Sequence, residues 1–264
     1  MILAILQARV SSSRLPGKVM MPLLGQPMLA RQLERVRRAT LIDQLVVATS
    51  TDASDDPLAR LCEQSGTACS RGQLDDVLDR FYQAALQHRP EFIVRLTGDC
   101  PLADPELIDR VIRFCIDGGH DHACNGGDPA TFPDGLDVEV LRFSALEQAW
   151  REACLPSERE HVTPFIYNHP ERFRLALYKN PVDLSHLRWT VDEPADFELV
   201  RIIYETLYPQ QPQFGTDAIL RLLETRPELA TLNTQHARNE GYAKSLLQDQ
   251  AHLASLQTPL ARKD

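Results

Sequence analysis

ILAILQARVSSSRLPGKVM, residues 2–20, joins five consecutive apolar residues to a loop holding Arg9, Arg14 and Lys18. A short run that is apolar at every position marks a strand covered on both faces, as in a parallel sheet with helices above and below it. Two further runs repeat the pattern, LVVAT at 45–49 and FIVRL at 92–96. Between them MLARQLERVRRA (28–39), PLARLCEQS (57–65) and DDVLDRFYQAALQH (75–88) space their apolar residues three and four apart, as helices do. The first hundred residues thus predict strand, helix, strand, helix, helix, strand, the order of an α/β fold.

Downstream, LADPELIDRVIRFCIDG (102–118) reads as a helix with an acidic first turn and glycine at its end. LDVEVL (136–141), FRLALY (173–178) and LRWTV (187–191) read as strands, while 143–153 and ADFELVRIIYETLY (195–208) read as helices. A mixed, mainly parallel sheet follows. From about residue 213 the text is helical and polar, and after 250 it has no clear apolar stripe. We expect a main domain over residues 1–212 and a C-terminal helical extension over 213–264 with a frayed end.

With 37 acidic against 28 basic residues and a net charge of -9, the chain lacks the basic face that nucleic-acid binding requires. Five apolar residues before Gln7 are too few for a signal-peptide core or a membrane span, so a cytoplasmic protein without membrane insertion is expected. Six cysteines (Cys62, Cys69, Cys100, Cys115, Cys124 and Cys154) show no CxxC spacing and are read as buried thiols of a reducing compartment.

Against that acidic background the cations of the first loop stand out. In a parallel α/β sheet ligands gather outside the carboxyl ends of the strands, where residues 7–18 lie. Gly17 allows close backbone approach, Pro16 stiffens the turn, and Arg9, Arg14 and Lys18 with Ser11, Ser12 and Ser13 supply donors for an anion. Neither GxxxxGK[ST] nor GxGxxG is present, which leaves no support for a P-loop or a dinucleotide site. The alternative reading is a solvated basic loop.

Two aspartates stand at other strand exits, Asp99 in RLTGDCPL and Asp192 in LRWTVDEPADF. Each is either a helix cap or a ligand for Mg2+, which a bound triphosphate normally brings. Asp137 and Glu139, two apart on an expected strand, would share a face as an acceptor pocket or as a solvated edge. His120, His122 and Cys124 in HDHAC alternate as zinc ligands would, but no fourth ligand is spaced to join them.

QARVSSSRLPGKVM, RLTGDCPL, WTVDEPADF, SRGQLDDVLDRFYQAA and PDGLDVEV together resemble the cytidylyltransferase family of the SpsF type, related to CMP-Kdo and CMP-sialic acid synthetases. The likeness runs from residue 2 to about 245. It implies a three-layer α/β/α nucleotide-diphospho-sugar transferase fold, GT-A-like and Rossmann-like. It further implies that Arg9, Ser13, Arg14 and Lys18 grip the triphosphate of CTP and Ala8 packs near the base. By the same resemblance Arg71 and Asp76 border the nucleotide, Asp99 and Asp192 ligate Mg2+, and Arg14, Lys18, Asp99 and Asp192 are the catalytic set. Asp137, Glu139 and His161 become acceptor residues, with His161 near the pocket of a homodimer partner.

The reaction so implied moves CMP from CTP to an acidic sugar and releases pyrophosphate. A metal-dependent glycosyltransferase is the rival enzyme reading, although the cations suit a triphosphate and Asp99 stands in GDCP rather than DxD. A catalytically silent nucleotide-binding partner is the third reading.

Overall fold

Each apolar run becomes a central strand. The computed structural model describes residues 1–236, 238 and 240–257, and among these, seven strands form one sheet in the order β5-β4-β1-β6-β8-β7-β9. The strands are β1 (Ile2–Gln7), β4 (Gln44–Ser50), β5 (Ala68–Gly72), β6 (Phe92–Thr97), β7 (His122–Cys124), β8 (Glu139–Arg142) and β9 (Leu175–Leu177). Strand β8 alone among them runs against its neighbours β6 and β7, and the other pairings are parallel. A two-stranded hairpin, β2 (Pro22–Leu23) with β3 (Gln26–Pro27), stands apart.

Helices α1 (Met28–Val36), α2 (Asp56–Gln64), α4 (Pro105–Asp117), α8 (Pro194–Leu207) and α9 (Thr216–Thr225) cover one face of the sheet. Their buried residues, among them Leu29, Leu58, Ile108, Ile203 and Ile219, pack on Ala4, Leu6 and Val94. Helices α3 (Val77–His88), α5 (Phe143–Glu152), α6 (Pro156–His161) and α7 (Pro164–Tyr167) cover the other, over Leu3, Ile5, Ile93 and Leu141. Helix α10 (Glu240–Gln257) lies on α6. The expected three-layer architecture is present.

Three elements depart from the sequence reading. Strand β5 went unread because at the sheet's edge ACSRG needs no apolar run, and its residues are half-buried or exposed. LRWTV is not a strand: Trp189 and Thr190 both donate to Asp134 O, and a single bridge joins Asp134 to Arg188. The strand expected from 136 begins at Glu139, because Asp137 turns to accept from Gly135 N. Beyond residue 213, Phe214, Ile219, Leu223 and Leu229 belong to the larger core, so packing is continuous across the expected boundary at 212. The frayed end expected at residues 258–264 lies outside the described residues. Two cysteines also depart from expectation, since Cys69 and Cys154 are exposed.

The chain runs from β1 outward to β4 and β5, then crosses back to place β6 on the other side of β1. The carboxyl ends of β1 and β6 therefore flank a topological switch point, where an α/β sheet opens a crevice.

Candidate active site

The loop after β1 is shaped from within. Ala8 N still donates to Ala48 O at 3.1 Å, so pairing outlasts the strand by a residue. Ser12 N and Gly17 N then both donate to Val10 O, closing the loop, with Gly17 at φ 75°, a conformation that glycine adopts without strain. The loop is tied down by Asp55, fully buried in the turn that leads into α2, which accepts from Val10 N at 2.7 Å and from Ser50 N at 3.1 Å. On the β6 side Gly98 N donates to Gln7 O, and a Cβ at 98 would meet Ala8 Cβ at 2.9 Å. Only glycine lets these two strand exits approach so closely.

Lys18 is the point of convergence. Its buried ammonium donates to Asp192 Oδ1 at 2.7 Å, to Val191 O at 2.8 Å and to Asp99 Oδ2 at 3.3 Å. Residues 81 and 174 positions away in sequence thus meet one nitrogen. Arg14 Nη2 adds a bond of 2.8 Å to Asp192 Oδ2. Burial pushes the Asp99 carboxyl up, but the Lys18 charge together with hydrogen bonds from Thr97, the local backbone and Lys18 overcomes it and brings the pKa down to about 2. For Lys18 burial acts in the opposite sense and is likewise overcome, by Asp99 and Asp192, so its pKa is raised and it stays charged.

Asp192 is positioned by Asp196, which opens α8. Asp196 Oδ2 accepts from Asp192 N and Glu193 N, both at 2.9 Å, and its carboxylate takes Arg188 through Nε and Nη2. Arg188 in turn reaches Asp134 at 2.9 Å, and Asn233 donates to Asp196 Oδ1 at 2.8 Å. The motif VDEPAD therefore contributes a facing carboxylate, Asp192, and a buried brace, Asp196.

Of the other expected residues, Arg9 and Ser13 are exposed on the loop. Arg9 lies beside Arg80, whose pKa is lowered first by burial and then by the Arg9 charge. Arg80 donates to Gln73 O and Leu74 O, which shapes the loop between β5 and α3. Arg71 donates to Ser50 O, Asp52 O and Asp56. Asp76 caps α3 through Asp79 N at 2.9 Å and pairs with Arg159 of α6. Both have intramolecular partners at the rim of the site.

Asp137 and Glu139, expected as a pair, meet different cations. Asp137 takes Arg238 at 2.5 Å, whereas Glu139 takes Arg95 and sits 2.9 Å from His122 Nε2. Burial raises Glu139, but Arg95 and His122 bring it down to about 2. His161 Nε2 is 2.9 Å from Ser245 Oγ of α10, and its ring meets the edge of Tyr242. Burial lowers the His161 pKa. In HDHAC, His122 is bound to Glu139 and His120 packs on Phe114, and among the described residues no three His, Cys, Asp or Glu side chains cluster as metal ligands.

Sequence reasoning missed Asp55, Arg95, Arg159, Arg188 and Asp134. Asp55 had a signal, an aspartate-rich stretch directly after a strand; Arg95, Arg159 and Asp134 act through residues far away in sequence, and Arg188 braces Asp196 eight residues on, across a segment read as a strand. A groove of about 830 Å³ between α4, α9 and residues 180–187 contains none of the expected site residues. Among the described residues no helix is long and apolar enough to cross a membrane.

Comparison with known proteins agrees with this geometry. The spore coat polysaccharide biosynthesis protein SpsF of Bacillus subtilis is 35% identical over 237 residues, 87% of this chain and 97% of that protein. A cytidylyltransferase from Leptospira borgpetersenii superposes with a TM-score of 0.83 at 29% identity, over 89% of this chain and 99% of that one. A CMP:2-keto-3-deoxy-manno-octonic acid synthetase, solved in complex with CTP, shares the fold at a TM-score of 0.60 and 16% identity, over 77% and 98% of the two chains. The cytidylyltransferase profile matches residues 3–229. This chain belongs to the cytidylyltransferase family and is a CTP-dependent nucleotidyltransferase.

Proposed function

We propose that this enzyme transfers CMP from CTP to a hydroxyl of an acidic sugar, releasing pyrophosphate, in the building of a surface polysaccharide or glycan. The observation that carries this reading is the meeting of Lys18, Asp99 and Asp192 beneath the closed loop of residues 8–17. The name of the SpsF relative supports the polysaccharide setting.

Arg9, Ser13, Arg14 and Lys18 take the triphosphate, with Ala8 against the base. The acceptor hydroxyl oxygen attacks the α-phosphorus, the bond to the bridging oxygen of pyrophosphate breaks, and the hydroxyl proton leaves to solvent. No covalent enzyme intermediate is needed, so catalysis rests on positioning and on charge neutralisation by Lys18 and Arg14. Asp99 and Asp192 are the residues that would hold Mg2+. They fit a hard cation because both offer carboxylate oxygens and converge within 3.3 Å of one atom, close enough to share an ion. Bound there, the ion would neutralise phosphate charge as a Lewis acid.

Pyrophosphate release from CTP with a panel of acidic sugars tests the proposal. CTP- and sugar-dependent release supports it; turnover of a nucleotide-sugar donor in its place, or CTP binding with no release for any sugar, overturns it.

A further inference from the structure

Strand alternation puts Gln7 of β1, Arg95 of β6 and Glu139 of β8 on the sheet face that carries Ile5, Ile93 and Leu141. Ile5 pairs in register with Arg95 and Gln7 with Thr97, so Gln7 and Arg95 are diagonal neighbours within reach of one another's long side chains. Both stand at the carboxyl ends of their strands, and Arg95 lies four residues before Asp99. Two atoms here are buried without a hydrogen-bond partner: Gln7 Oε1, an acceptor, and Arg95 Nε, a donor. Buried polar groups are nearly always satisfied, so an unpaired donor and an unpaired acceptor on diagonal neighbours of one sheet face fit a third group that bridges both.

The chemistry of that group follows from what already holds Arg95. Glu139 accepts from Arg95 Nη1 and is itself fixed by His122. The carboxylate neutralises the guanidinium, so the remaining Nε–H is a directed donor with little net charge around it. A carboxylate ligand would gain little there. A hydroxyl accepts from Nε and donates to Oε1 at once.

We propose that Gln7 and Arg95 form a subsite for a hydroxyl of the acceptor sugar, and that Glu139 positions Arg95 rather than touching the sugar. The assignment rests on the cytidylyl-transfer reading above and deepens it by naming the acceptor face. It places the acceptor over β1 and β6, on the side covered by α6 and α7.

Gln7→Met keeps the side-chain length and removes the amide; Arg95→Lys keeps a charge for Glu139 and removes Nε. CTP binding is measured by calorimetry, and pyrophosphate release with 3-deoxy-manno-octulosonate, N-acetylneuraminate and glucuronate as probes. We expect the wild type to use at least one probe, and each variant to raise its KM about tenfold, the loss of one hydrogen bond to a ligand. The KM for CTP and the melting temperature of Gln7→Met stay at wild-type values. An unchanged sugar KM in Gln7→Met, or a CTP KM that rises with it, overturns the subsite. Wild-type enzyme that binds CTP but uses none of the probes overturns the sugar assignment, and wild-type enzyme that does not bind CTP overturns the underlying reading instead.

Discussion

Asp99 and Glu139 are both carboxylates at the carboxyl end of the sheet, and both are held at about 2 although burial pushes each of them up. Their surroundings differ. Asp99 follows a glycine on an open loop, with 29% of its side chain exposed, and its cation Lys18 divides its bonds between two carboxylates and a carbonyl. Glu139 lies within paired strands, with Arg95 in register on β6 and His122 on β7. Equal electrostatics thus arise in two settings: at Asp99 a cation shared among three acceptors of a loop, at Glu139 one held within the paired strands.

The sharpest way to break the comparison is to remove the shared cation. Lys18→Ala and Asp99→Asn should each lower kcat about 10³-fold, the scale of losing one preorganised electrostatic contact, with the melting temperature near wild type. A collapse in stability at unchanged specific activity would make the site structural.

The fixed pair should show itself first in stability. Glu139→Gln leaves Arg95 buried with a neutral partner and should lower stability by about 3 kcal/mol, measured by denaturant unfolding at pH 7. Because the folded pKa is depressed, Glu139 contributes its stability above the ordinary glutamate range near 4.5 and loses it as the pH falls toward about 2. Between those values the wild type should weaken relative to Glu139→Gln, and parallel stability curves would refute the ion pair.

How much of this was legible in the sequence depended on range. Central strands announce themselves through burial on both faces, and Asp99 through its place just past β6, whereas Asp192 was picked out for the exit of a strand that does not form. Strand β5 did not, because an edge strand needs no apolar run, and LRWTV misled because Trp189 and Val191 are buried in a non-strand segment. Arg188 and Arg159 were silent because an arginine's role is set by the carboxylates that folding brings to it, here Asp134, Asp196 and Asp76.

Asp55 lies between the two, since it is fully buried yet holds the loop of residues 8–17. Both of its oxygens accept from Val10 N or Ser50 N, so in Asp55→Asn the amide must set an N–H against a donor whichever way it turns. A loss of about 2 kcal/mol in stability should come with a raised KM for CTP. A raised KM at full stability would mean that the loop is ordered by the nucleotide alone.

Arg71→Ala should have the smallest effect and decides where the nucleotide site ends. The resemblance sets Arg71 beside the nucleotide, yet its guanidinium already donates to Ser50 O at 2.8 Å, Asp52 O at 3.1 Å and Asp56 Oδ1 at 2.8 Å. With 30% of its side chain exposed, the pair with Asp56 is worth at most about 1 kcal/mol. A rim brace of this kind should cost that much stability on removal and leave the KM for CTP unchanged. A tenfold rise in that KM would instead group Arg71 with the phosphate-binding role proposed for Lys18, and would extend the proposed nucleotide site to β5.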